Sequence, residues 1–114
     1  MRPALVIIDM QNWFFRTKER SAGLPDLISG INELIDIANN KNIPIFQVLT
    51  LHKSDRSTWN IVMKEHDYSA LLEGSEEAEL LPGIKFDQTQ QIIVKTRQST
   101  FIRTDFEEML IYRC

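Results

Sequence analysis

"LVIIDMQNWFF", residues 5–15, decides how the chain is read: a branched apolar run stops on a carboxylate and gives way to Gln11, Asn12 and three aromatics. Continuous apolar character from Ala4 to Ile8 marks a strand covered on both faces, as in a parallel sheet flanked by helices. Asp9 then stands at the strand's tip. A charge in that place calls for a chemical reason.

Working outward, Leu24, Leu27, Ile28, Ile31, Leu34, Ile35 and Ala38 recur at helical spacing and form one stripe. Pro25 suits the first turn, and Asp26 lies near the positive end of the helix dipole. Gly30 weakens the interior by about 1 kcal/mol against Ala, so packing must carry this helix. Asn39 to Asn42 end it, because Asn tolerates the left-handed cap and Ile43-Pro44 cannot continue. A second strand, Ile45 to Leu51, completes a strand–helix–strand unit whose crossover is expected to be right-handed and whose strands are therefore parallel.

From His52 to Gly83 the sequence is polar and irregular, with a short helix expected near Thr58 to Lys64 and an acidic stretch from Glu73 to Glu79. Such a long excursion over a sheet edge is usually functional. A third strand, Gln91 to Lys95, is again apolar and again stops on a charge. Thr104-Asp105-Phe106-Glu107 reads as a capping box, with Phe106, Met109 and Leu110 on the buried side of the helix from Asp105 to Arg113. The alternation predicts an α/β fold with helices on both faces of a parallel sheet, and in such sheets ligands bind at the carboxyl ends of strands. No repeat, low-complexity tract or linker interrupts it.

Composition bounds the function. With 114 residues, 43% of them hydrophobic, the chain fits one domain with a modest core. Sixteen acidic against thirteen basic residues leave a net charge of -3, which is no footprint for nucleic acid or an anionic membrane. The expected partners are small molecules or other protein chains. The apolar start is too short for a signal-peptide core, no segment is long and apolar enough to span a membrane, and the single cysteine fits a reducing, cytoplasmic compartment.

Asp9 and Lys95 are thus opposite charges at strand ends, able to meet above the sheet where partial burial strengthens their interaction. A purely structural alternative has Asp9 bonding the following amides and Lys95 reaching water over a buried stem. The segments "VIIDMQNWFF", "NIPIFQVLTLHKSDRSTW", "LLEGSEEAELLPGI" and "IIVKTRQSTFIRTDFEEML" resemble, in order and spacing, the isochorismatase-like cysteine hydrolases over essentially the whole chain. That resemblance implies a three-layer, Rossmann-like fold with a six-stranded parallel sheet in the order 3-2-1-4-5-6. It also implies a thiol that attacks an amide or related carbonyl carbon, Asp9 as acid/base and Lys95 stabilising charge beside the thiolate. Gln11 and Phe14 would line the pocket, with Arg97 and Ser99 near its rim.

The resemblance also marks departures. Its nucleophile lies on a loop after a fourth strand, farther past Lys95 than this chain reaches. The sole cysteine, Cys114, follows a helix that carries the chain roughly 13 Å back along the sheet, and is expected at the wrong end. The sequence is therefore read as a C-terminally shortened hydrolase domain, residues 1–114, inactive toward amides alone. Its first strand would keep an open apolar edge with no Lys or Pro inside it, from which self-association into a homo-oligomer is expected. The competing reading is a non-catalytic α/β partner or assembly module.

His52 and His66 invite a metal reading, since relatives place a metal on an Asp-x-His element. The corresponding position here is Thr50, so no metal and no cofactor are expected and His52 is taken as hydrogen-bonded or pocket-lining. Asp55, Arg56 and Trp59 are read as a lid or subunit contact, or as a capped short helix with a packed Trp. Trp13, Phe14 and Phe15 serve either a substrate box or the core, and Glu73, Glu76, Glu77 and Glu79 a solvated face. A phosphoacceptor domain would need further carboxylates beside Asp9, and no glycine-rich phosphate cradle follows the first strand.

Overall fold

The computed structural model describes residues 2–113. Its elements alternate in the expected manner. Strand β1 (Leu5–Ile8) leads through a 3-10 turn (Asn12–Phe15) and a one-turn helix α1 (Lys18–Ser21) to helix α2 (Leu24–Asn40) and strand β2 (Ile45–Thr50). The excursion carries helix α3 (Ile61–Glu65) and a 3-10 turn (Glu76–Ala78), and strand β3 (Gln91–Lys95) and helix α4 (Phe106–Arg113) follow. The 3-10 turn after β1 and helix α1 are additions to the sequence reading. They are too short to carry a recognisable period.

The sheet is parallel throughout, in the order β1-β2-β3. Leu5 pairs with Ile45 and Ile8 with Val48, while Phe46 pairs with Gln91 and Thr50 with Lys95. Central β2 is buried along nearly its whole length, as a strand covered on both faces must be. On one face Ile7 and Ile45 meet Ile35 and Ala38 of α2, together with Leu81 and Ile84 from the excursion. On the other, Phe46, Val48 and Ile93 meet Phe106 of α4, whose ring stands edge-on to Phe46 with centroids 5.4 Å apart. Edge-to-face pairs add about 0.5–1.5 kcal/mol beyond the area they bury.

Helix α2 runs on through Asn39 and Asn40, and the left-handed residue is Asn42 at φ 56°. The amide of Ile43 donates to Ala38 O (2.8 Å) and that of Asn42 to Asn39 O (3.3 Å), the paired bonds of a Schellman end. Ile43 then packs against the α2-side core. Helix α3 starts later than expected because Asn60 is its cap, accepting from the Met63 amide at 2.9 Å. At α4 the Thr104 hydroxyl accepts from the Phe106 amide at 3.3 Å, two residues on, in place of the bond from the Glu107 amide that the anticipated capping box requires. Helix α4 ends at Arg113; Cys114, expected at the far end of the sheet, lies outside the described residues.

Among the described residues β1 pairs only with β2, and Ile8, which faces away from the core side that Ile7 fills, is 44% exposed. The excursion is better anchored than its polar composition implies. Leu81 donates to Met10 O and Asn12 to Glu79 O beside β1, and His52 and Glu73 exchange backbone bonds with Leu71 and one another at the tip of β2. It is thereby held across the carboxyl ends of the strands. No helix among the described residues is long and apolar enough to cross a membrane.

Candidate functional site

Asp9 leaves β1 with φ at 59°, a left-handed conformation that L-residues other than Gly seldom adopt and that Asp tolerates better than most. Its amide still bonds Val48 O at 3.0 Å, so the strand ends on this residue and the carboxylate is displayed at the sheet's rim. Such conformations cost on the order of 1–3 kcal/mol and persist where surrounding bonds enforce them. Here Oδ1 accepts from the Thr50 hydroxyl at 2.8 Å, and Oδ2 accepts from Lys95 Nζ at 3.3 Å.

The two charges come from the outer strands and meet over the tip of the central one. Neighbouring strands lie about 4.8 Å apart, so the span from β1 to β3 is about twice that, a gap the lysine stem can cross. Lys95 is only 4% exposed, which is tolerable for an ammonium because its other two donors reach Arg97 O (3.2 Å) and Gln98 O (3.0 Å). All three of its protons are committed. The Asp9 side chain is more open, at 26%, and a carboxylate with two partners keeps lone pairs free to handle a further proton.

Above this pair lies a pocket of about 450 Å³, lined by Asp9, Lys95, Phe14, His52, Arg97 and, among others, Trp13, Asn60, Met63, Tyr68 and Leu71. Phe14 meets Trp13 edge-on with centroids 5.2 Å apart, so these aromatics wall the pocket. His52, 4% exposed, places Nδ1 3.1 Å from the Thr58 hydroxyl, which also accepts from the Lys53 amide. Burial lowers the His52 pKa below its usual value and the charge on Arg97 lowers it further, against a raising bond to the Thr58 backbone. Arg97 itself donates through Nη1 to Thr58 O (3.2 Å) and Thr96 O (3.1 Å).

Two residues expected at the pocket are elsewhere. Gln11 is fully buried with its amide entirely engaged: Nε2 donates to Thr50 O (2.9 Å) and Ala78 O (2.8 Å), and Oε1 accepts from the Thr50 amide (2.9 Å). Because the turn at Asp9 ends backbone pairing, this side chain continues the ladder to β2 and ties the excursion down. It supports the wall without facing the pocket. Ser99 is exposed, accepts from the Phe101 amide (3.2 Å) and lies outside the lining.

Thr50, in the sequence only the position where a metal-binding carboxylate is missing, has a role at the site. Its hydroxyl orients Asp9, and the signal in the sequence is its place at the end of the second strand, as Asp9 and Lys95 close the other two. Trp59, by contrast, is packed, 7% exposed, with its indole N–H on Lys53 O. His66 is exposed and outside the pocket lining, and no group of three His, Cys, Asp or Glu among the described residues is placed to hold a metal.

A family model described as the isochorismatase domain matches residues 3–113. Among solved structures, an isochorismatase family protein from Desulfovibrio vulgaris subsp. vulgaris str. Hildenborough superposes with a TM-score of 0.81 at 27% identity, covering 96% of this chain and 60% of that one. A cysteine hydrolase from Pseudomonas syringae pv. phaseolicola 1448A gives 0.83 at 19% identity, with 98% and 55% covered. N-carbamoylsarcosine amidase from Thermoplasma acidophilum gives 0.77 at 18% identity, with 98% and 62% covered. At such identities the last two establish the shared fold. The chain thus spans between 55% and 62% of the length of these three. No curated protein matches it in sequence.

Proposed function

Since this chain belongs to the isochorismatase family, we propose that it forms the acid/base half of a cysteine hydrolase acting on a small amide or related C–N or C–O substrate. The observation that carries this reading is the contact between Lys95 Nζ and Asp9 Oδ2 at the floor of an apolar-walled pocket. In this reading the thiol is supplied by polypeptide outside these 114 residues or by a partner chain. Its proton passes to Asp9 as the sulfur bonds the carbonyl carbon, and Lys95 holds the developing negative charge nearby. Protonated Asp9 then gives that proton to the departing amine as the C–N bond breaks. Asp9 next removes a proton from water, which attacks the thioester and restores the thiol.

Thiol chemistry of this kind belongs in a reducing compartment, so we place the protein in the cytoplasm. No resident cofactor enters the scheme. Asp9 and Lys95 are assigned the chemistry, Phe14, His52 and Arg97 the substrate, and Gln11 the support of the wall. The test is to sequence the reading frame past codon 114 and assay the encoded polypeptide on a panel of small amides. Turnover that vanishes in Asp9→Asn supports the reading. A continuation that brings no cysteine to within about 4 Å of Asp9 and Lys95 would sink it.

β1, paired on one side only among the described residues, and the exposed Ile8 on its face favour a second reading in which the chain is a homo-oligomeric assembly module. Light scattering behind size-exclusion chromatography checks it. A monomer at high concentration, unchanged by Ile8→Lys, removes that possibility.

A further inference from the structure

The pocket holds more positive charge than its own residues neutralise. Asp9 and Lys95 answer one another, and the other two donors of Lys95 are spent on backbone carbonyls. His52, held below its usual pKa, adds no charge near neutral pH. Arg97 remains. Among the described residues no carboxylate lies within 4 Å of its guanidinium.

Its donors divide unevenly. Nη1 carries the bonds to Thr58 O and Thr96 O, which come from the segment before α3 and the loop after β3. Nε and both protons of Nη2 have no acceptor among the described residues, and neither nitrogen is a buried, unpartnered atom, so both reach solvent on a residue that lines the pocket. The same loop wraps the reacting end, since the carbonyl of Arg97 is a partner of Lys95 Nζ. One side of the guanidinium is therefore anchored while the Nε–Nη2 side is presented. That pair of parallel N–H groups matches the two oxygens of a carboxylate. Anchoring removes side-chain freedom in advance, and walls formed by Trp13, Phe14, Met63 and Leu71 strengthen the attraction relative to open water.

We propose that this pocket takes substrates bearing a carboxylate, bound bidentately by Nε and Nη2 of Arg97 while the scissile carbonyl faces Asp9 and Lys95. The assignment of the reacting end rests on the hydrolase reading; the anion site stands apart from it. Within the broad class of small amides the proposal selects acids that also carry an amide-type group, and disfavours neutral amides.

Acetate and acetamide, nearly equal in size, are the probes, titrated into the 114-residue protein with chloride holding ionic strength constant. NMR of the Arg97 Nε–H resonance and calorimetry supply the readouts. Acetate is expected to shift that resonance saturably and to bind at least about tenfold more tightly than acetamide, with Arg97→Gln losing about tenfold and Arg97→Lys less. An acetate shift no larger than that of chloride, or one unaltered in Arg97→Gln, overturns the proposal. If Arg97→Gln fails to fold, the comparison of acetate with chloride in the unaltered protein decides. Acetate binding retained in Asp9→Asn, with no amide turned over by the thiol-bearing form, removes the hydrolase reading and leaves the anion site. Turnover indifferent to a carboxylate, with no acetate at Arg97, does the reverse.

Discussion

The middle of β2 and its tip are a few residues apart and are built on opposite terms. On the α4 side of the middle, Phe46 and Val48 are fully buried among aliphatic and aromatic side chains, and there shape and area decide. At the tip, Gln11, Thr50, His52 and Lys95 are buried too, and each is held by directed bonds. The middle gains stability from dehydration. The tip tolerates dehydration because nearly every donor has an acceptor, which leaves a charged pair rigidly placed beside an apolar pocket.

That contrast can be broken by mutation at either end. The largest effect is expected from Asp9→Asn in the thiol-bearing form: turnover should fall by about 10²–10⁴-fold. Asn adopts the same left-handed conformation, so the accompanying shift in Tm should be smaller than that of a core truncation. Equal losses of turnover and stability would erase the distinction between tip and middle.

At the middle, Phe46→Ala should cost about 3–5 kcal/mol in urea unfolding, since it deletes a fully buried ring and its edge-on contact with Phe106. Gln11→Ala should cost about 1–3 kcal/mol by stranding the Thr50 amide, with Gln11→Glu no cure because a carboxylate cannot donate to Thr50 O and Ala78 O. A neutral result for Gln11→Ala would show that the tip does not depend on its hydrogen bonds.

The smallest effect concerns pH. His52 titrates below its unfolded value, so the unfolded chain binds the proton first as acid is added. The stability contributed by neutral, buried His52 is complete above about pH 6.5, falls as the pH drops below that value, and stops falling once the folded histidine is itself protonated. His52→Asn should flatten the part of the profile that falls as the pH drops below about 6.5. Unfolding midpoints measured from neutral pH down through that fall check it, and an unchanged slope would return the sensitivity to other groups.

How far the sequence was legible follows from the range of each signal. Ala4 to Ile8 and Gln91 to Lys95 announce themselves as short apolar runs and α2 as a helical stripe, although Ile8, Ile92 and Val94 are exposed and only β2 is buried on both faces. The charges closing the outer strands were visible for the same reason, as interruptions of an apolar run. Gln11 was misplaced because a buried glutamine that repairs a ladder and one that faces a ligand have the same sequence. Helix α3 and the turns of the excursion were blurred since a few residues carry no period, and their positions are set by caps such as Asn60.

By itself, the order of residues determined a parallel α/β unit with an acid and a base closing two of its strands, because hydrophobic periodicity and strand polarity are written locally. Only the tertiary structure decided that those strands flank a third, that Thr50 and Lys95 share one carboxylate, and that Arg97 is left with donors to spare. Hydrogen bonds saturate at short range and depend on direction, so which donor meets which acceptor is settled when distant segments pack together.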